Sequence, residues 1–120
     1  MQLINHLYYL KSRNIESSKA TFRVAFNAEH FIYKAHFPNN PITPGVCLIQ
    51  MLVEIFEEWQ DRKFAIRTLK NVKFTAPINP LEVPEANVLI EFSENENNFH
   101  LRATVEENDV VFTKISMVVA

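Results

Sequence analysis

The sequence predicts an α+β fold in which one buried helix packs against a meander of antiparallel strands. Three observations lead to this. The run from Cys47 to Trp59, with Val46 just ahead of it, spreads Leu48, Ile49, Leu52, Val53, Ile55 and Phe56 over far more than one helical stripe, which marks a helix wrapped by other structure. Elsewhere apolar and polar residues alternate with the period of a strand. The turns between these stretches rely on Asn, Asp and Pro, because the chain of 120 residues has a single glycine, where average usage would give about eight.

Taken in order, Leu3 to Leu10 is apolar and aromatic and reads as a short strand or edge segment, and Asn14 to Lys19 reads as a polar turn. Thr21 to Phe26 then sets Phe22, Val24 and Phe26 against Thr21, Arg23 and Ala25, as a strand with one buried face does. Asn27 to Lys34 reads as a linking segment whose Phe31, Ile32 and Tyr33 pack down near the loop that carries His36. In the helix, Gln50, Glu54, Glu57 and Asp61 recur at spacings of four, three and four, which makes one polar line that runs out into solvent by Glu57. Phe64 to Ala76 returns to alternation at Val72 and Phe74, and Pro77, Pro80 and Pro84 end it where a ladder donor would be lost. Val88 to Phe92, Phe99 to Val105 and Val110 to Val119 are the closing strands. Asn95 to Asn98 and Asn108-Asp109 are their turns, since Asn and Asp tolerate left-handed backbone.

Length and composition bound the function. Residues 1–120 are expected to form a single domain with one core. A hydrophobic fraction of 48% with ten Phe indicates an ordered chain. The net charge of −2 and the absence of a Lys/Arg cluster argue against nucleic acid. Cys47 is the lone cysteine and reads as a small buried hydrophobe in a reducing compartment. The first residues lack a cationic start and no stretch approaches the roughly 20 apolar residues of a membrane span, so a cytoplasmic location is expected. His6, His30 and His100 show no metal-ligand spacing, and no metal or cofactor is expected. With one glycine there is no phosphate-binding loop, and the nucleophile-elbow pattern is missing.

The chemistry concentrates between His36 and Val46. Pro38, Pro41 and Pro44 stiffen this stretch, which carries a histidine and then uses the only glycine, Gly45, to enter the helix. Residues His36-Phe37-Pro38-Asn39-Asn40-Pro41-Ile42-Thr43-Pro44-Gly45-Val46 resemble the active-site loop of the β-hydroxyacyl-acyl carrier protein dehydratases of the FabZ/FabA type, whose pattern is H-F-P-x-x-P-x-x-P-G-V. Lys70 to Pro80 and Asp109 to Met117 resemble that family's later strands, so the likeness runs from about Tyr8 to the end. The resemblance implies the hotdog fold, a long central helix wrapped by an antiparallel sheet. It also implies dehydration of a 3-hydroxyacyl thioester to the trans-2-enoyl thioester, with the substrate on the phosphopantetheine of acyl carrier protein or on coenzyme A. His36 would be the base, with its ring oriented by a backbone carbonyl near Ile42. The N–H of Gly45, with Val46 beside it, would face the thioester oxygen, and Phe37, Pro38, Pro41, Ile42 and Pro44 would shape the loop.

One position departs from the family. Its catalytic carboxylate falls at residue 50, and this chain has Gln50, which has no proton to give at neutral pH. Glu54, one turn further on, is the nearest carboxylate along the helix and the candidate substitute acid, acting through a water; its other reading is the start of the solvated line. The resemblance further implies a homodimer or an oligomer of dimers in which the histidine of one subunit meets the carboxylate of its partner. A heterodimer with a carboxylate-bearing paralogue would restore the acid, and a catalytically weakened thioester-binding or partner subunit is the alternative, ahead of a hotdog thioesterase. For an acidic carrier protein, Arg62, Lys63, Arg67, Lys70 and Lys73 are the candidate docking cations.

Overall fold

The computed structural model describes residues 2–35 and 39–120. Its strands are β1 (Tyr8–Glu16), β2 (Lys19–Phe26), β3 (Ile66–Phe74), β4 (Glu85–Asn95), β5 (Asn98–Glu107) and β6 (Val110–Val119); its helices are α1 (Phe31–Ala35) and α2 (Gly45–Gln60). All the strands join one antiparallel six-stranded sheet in the order β1-β2-β4-β5-β6-β3. The closing strands form the expected meander, while β3, next after the helix, runs back to the far edge beside β6.

The alternation fixes which face of the sheet meets α2. Phe22 lies opposite Val88, Val88 opposite Val105, and Val105 opposite Thr113, and all four are buried. Lys19, Glu91, Arg102 and Ser116 form a row on the other face. The helix closes the core with Leu48, Met51, Leu52 and Ile55 and, toward its C-terminal end, with aromatic rings. Phe56 lies 5.2 Å from Phe92 and 5.5 Å from Phe99, edge to face, and Trp59 lies 5.9 Å from Phe22. Such pairs contribute about 0.5–1.5 kcal/mol each beyond their burial. The helix stops at Asp61, which adopts the left-handed conformation at φ 55°, a role usually given to glycine.

Several boundaries differ from the sequence expectation. The first strand starts at Tyr8 rather than Leu3, because Leu3 to Leu7 coils into a tight turn with Leu7 N–H donating to Leu3 C=O at 2.7 Å. It then continues through the supposed turn at Asn14 to Glu16, where pairing with Ala20 and Lys19 outweighs polarity, and the reversal is confined to Ser17-Ser18. The expected loop from Asn27 to Lys34 contains α1, whose start is held by Ile32 N–H donating to His30 Nδ1 at 3.1 Å. Val46 is 72% exposed rather than wrapped. Glu54 is 4% exposed, so it does not begin a solvated line.

Gly45 is needed for a close approach. A Cβ built there would stand 2.5 Å and 2.6 Å from ring atoms of Phe74, so the ring of β3's last residue lies over the first turn of α2 only because residue 45 has no side chain. Phe74 is itself 50% exposed and has room to swing out. On the solvent face of the sheet, Arg23 donates to both oxygens of Glu107, at 2.6 and 2.7 Å, and also to Glu85 and Asn87, tying β2 to β4 and β5.

Two substitutions probe these contacts. Gly45→Ala is expected to lower stability by about 1 kcal/mol, the low end of overpacking costs because the exposed ring can yield, and adding Phe74→Ala should recover most of that loss in a denaturant-melt double-mutant cycle. The bonds from Arg23 hold the Glu107 carboxyl below the usual carboxylate range. This stabilisation is present above the unfolded carboxylate pKa and is lost as pH falls through the lower folded value. Arg23→Ala should therefore cost about 1 kcal/mol at neutral pH, with the difference from the parent shrinking in melts taken at progressively more acidic pH.

Candidate functional site

Of the motif residues, His36, Phe37 and Pro38 lie outside the described residues. The rest of the loop is pinned from two directions at Thr43. Its N–H donates to Ile78 C=O at 2.8 Å, and its hydroxyl donates to the same oxygen at 3.1 Å. With that proton committed, the Tyr33 hydroxyl from α1 is the donor in its 2.9 Å bond to Thr43 Oγ1. Burial pushes the Tyr33 phenol up to about 12, so it remains a proton donor at physiological pH. Tyr33, Thr43 and Ile78 are all buried. Thr43 occupies a variable position of the motif, and nothing in the motif itself pointed to it; that it is the one hydroxyl in this loop was the available signal.

The loop hands over to α2 at Pro44, whose extended backbone makes it the N-cap without a side-chain cap. Cys47 and Leu48 N–H both donate to Pro44 C=O. Among the described residues the N–H groups of Gly45 and Val46 have no backbone acceptor, which leaves two donors at the positive end of the helix. A pocket of about 330 Å³ adjoins them, between Ile42 to Gly45, Leu48 and the Phe74 to Ile78 segment, and its walls are largely apolar. A larger hollow of about 640 Å³ lies on the opposite face of the sheet, lined by Lys19, Glu91, Arg102 and Lys114, and none of the described motif residues lines it.

Gln50 and Glu54 are brought together. Gln50 Nε2 donates to Glu54 Oε2 at 3.0 Å across one helical turn. Glu54 is otherwise filled: Leu3 N–H donates to Oε2 and Ile4 N–H to Oε1, each at 2.8 Å, and Tyr8 hydroxyl donates to Oε1 at 3.0 Å. A buried carboxylate needs this many donors to be tolerated at all. Burial, and then the adjacent charge of Glu54, raise the Tyr8 phenol far above the ordinary tyrosine range, so Tyr8 stays a donor. Gln50 is only partly buried and shares its helix face with exposed Val46, one turn nearer the free amides.

The expected docking cations do not converge as a set. Arg62 stacks over Phe64 with its guanidinium 4.4 Å from the ring centre, and Lys63 reaches Glu57 at 3.9 Å. Arg67 and Lys70 fall at the two register shifts of β3, and Lys73 stands directly opposite Lys114, a cation the motif reading did not include. Lys70 meets His100 Nδ1 at 3.3 Å. Among the described residues no three His, Cys, Asp or Glu side chains gather as a metal site, and no helix is long and apolar enough to cross a membrane.

Comparison with known proteins agrees with this architecture. The profile of the ApeI-like family, described as ApeI dehydratase, matches residues 12–114. The 3-hydroxyacyl-[acyl-carrier-protein] dehydratase FabZ of Wolbachia sp. subsp. Drosophila simulans is 31% identical over 112 residues, covering 86% of this chain and 76% of that protein. FabZ of Lactobacillus helveticus is 27% identical over 112 residues, covering 87% and 74%. Among solved structures, a chain of the dehydratase heterocomplex ApeI:P from Xenorhabdus doucetiae superposes with a TM-score of 0.74 at 17% identity, over 92% of this chain and 96% of that one. A putative thioesterase, yhdA from Lactococcus lactis, superposes at 0.66 and 10% identity over 97% and 92%. The structural likenesses establish the hotdog fold, which dehydratases and thioesterases share. The profile and the FabZ relatives decide between them: the chain belongs to the ApeI-like dehydratases of the FabZ/FabA-like hotdog family.

Proposed function

We propose that this chain acts on 3-hydroxyacyl thioesters carried by acyl carrier protein, supplying the base and the oxyanion donors of a dehydration whose acid comes from a carboxylate-bearing partner subunit. The observation that carries this reading is the pairing of Gln50 with Glu54. Gln50 has no acidic proton, and the oxygens of Glu54 are occupied by two backbone N–H groups, the Tyr8 hydroxyl and the Gln50 amide. Neither is free to protonate a leaving hydroxyl. Glu54, read from sequence as a substitute acid, is here a buried anchor.

In the proposed reaction His36 removes the proton from C2, and negative charge gathers on the thioester oxygen, where the Gly45 and Val46 N–H groups stabilise it. The electron pair then forms the C2–C3 double bond as the C3–O bond breaks, and the departing hydroxyl takes a proton from the partner's acid and leaves as water. Backbone donors do not depend on side-chain identity, so the oxyanion half is independent of what stands at position 50. The ApeI relative's occurrence in a heterocomplex supports a two-chain site. The acyl chain would lie in an apolar channel where subunits meet, near the α2 start and the Phe31 to Tyr33 segment.

The subunit contact we assign to β3. It is an edge strand of nine residues, with Ile66, Leu69 and Phe74 each at least 40% exposed, and its outer edge is open among the described residues. A long open edge invites another strand. Antiparallel pairing of β3 with a second β3 would extend the sheet across a two-fold axis.

Two measurements test the reading. In turnover of a 3-hydroxyacyl-acyl carrier protein followed by mass spectrometry, the chain alone should be slow. Gln50→Glu should raise the rate by about 10²- to 10⁴-fold, the usual contribution of a general acid, and His36→Ala in that background should abolish it. Rapid turnover by the parent chain that Gln50→Glu leaves unchanged would reject the need for a partner's acid. In light scattering the chain should be a dimer, and Leu69→Lys with Phe74→Lys should give monomers; a monomeric parent removes the shared site.

A further inference from the structure

The structure assigns Glu54 the role of a positioning residue for Gln50: its carboxylate holds the amide with Nε2 turned inward and so presents Oε1 outward, as an acceptor for the substrate's 3-hydroxyl. The inference rests on the dehydratase reading above. A carboxylate can only accept, so the atom of Gln50 that stands 3.0 Å from Glu54 Oε2 is the nitrogen, and the amide orientation is fixed by chemistry. Glu54 cannot turn aside to release it, because Leu3 N–H, Ile4 N–H and the Tyr8 hydroxyl hold both of its oxygens. Glu54 and Tyr8 are 4% and 0% exposed, so this anchor is buried. Gln50, partly exposed on the same face as Val46, is the member of the group that reaches outward.

The arrangement has a second consequence. With glutamate at position 50, its carboxyl would take the amide's place beside Glu54, and two carboxylates at such a distance do not both ionise. The Gln50→Glu carboxyl would retain a proton well above the ordinary carboxylate range, which is the condition a general acid needs near neutral pH. Glu54 thus positions a neutral amide in this chain and would raise the acid's pKa in a carboxylate-bearing version of the same site. The other ionisable groups around the pair are Tyr8, from the start of β1, and Glu57, Glu58, Asp61, Arg62 and Lys63, from the later turns of α2 and just beyond it, where they line one shallow hollow with Glu54.

The test follows the side-chain carboxyl carbons of Gln50→Glu and of Gln50→Glu/Glu54→Gln by NMR across pH, together with the pH profile of kcat for 3-hydroxyacyl-acyl carrier protein. In Gln50→Glu the new carboxyl should titrate at least about one pH unit above its value in the double variant. The alkaline limb of kcat should move with it, giving roughly a tenfold rate difference where one is protonated and the other is not. Coincident titrations in the two variants overturn the positioning role, whatever the activity. A shifted titration with no turnover upholds the Glu54 coupling and overturns the dehydratase reading instead. Should Glu54→Gln fail to fold, Gln50→Glu alone decides: two-step titration of a coupled pair supports the role, and an ordinary single-step value for the new carboxyl rejects it. In the parent chain, slow exchange of one Gln50 side-chain amide proton supports the held orientation, and two fast-exchanging protons overturn it.

Discussion

A carboxylate placed in the middle of a buried helix must be given donors, and the way Glu54 obtains them governs how this chain begins. The sheet's backbone offers none, because the strand N–H groups are spent within the ladder, and most of the inward side chains are apolar. The donors come instead from the turn of Leu3 and Ile4 and from Tyr8 at the start of β1. Leu3 and Leu7 are buried in the same step, so the apolar and polar requirements of the first eight residues are met by one docking geometry. Removing Glu54 would strand two backbone N–H groups and a phenol, each costing about 1–3 kcal/mol when unsatisfied.

The loop at the other end of α2 solves a related problem by different means. Its prolines lack N–H donors, so the segment cannot be held by a ladder, and Thr43 carries the attachment through bonds to Ile78 and Tyr33. Phe74 then lies across Gly45, and the motif's glycine is explained by that contact rather than by backbone conformation, since no glycine in the chain has positive φ. The left-handed positions are taken by Asn5, Ser17, Asp61, Glu96, Asn97, Asn108 and Asp109. A fold with almost no glycine is possible because turn reversals tolerate Asn and Asp, whereas the Phe74 ring can lie over the helix start only while no Cβ stands beneath it.

What the sequence made legible is what repeats. The period of two in β2 and the later strands, and the apolar excess in α2, gave the α+β class, and the proline-rich motif gave the family. What it hid depends on partners distant in the chain. Gln50, Glu54, Glu57 and Asp61 share a helix face by spacing, but whether that face meets water is decided by Leu3 to Tyr8, some fifty residues earlier. The polar residues Asn14 to Glu16 look like a turn until β2 is there to pair with them. The five residues of α1 are too few to show a period, and its start depends on the ring of His30. The sequence placed His36 at the centre of the chemistry, and that position lies outside the described residues.

The division of labour at the site follows from which groups evolution can alter independently. The amides of Gly45 and Val46 belong to the helix start and do not depend on side-chain identity, so the oxyanion place proposed for them would survive changes in the side chains around it. In the proposed reaction the protonating group would be a single side chain at residue 50, replaceable by one substitution. Fold therefore does not separate dehydratases from their thioesterase structural neighbours, and on the proposed reading it would not separate a chain that completes the reaction from one that leaves protonation to its partner. That distinction would rest on position 50 and on the residue one turn further along, where the buried carboxylate of Glu54 accepts a hydrogen bond from the Gln50 amide here and would force an acid at residue 50 to keep its proton.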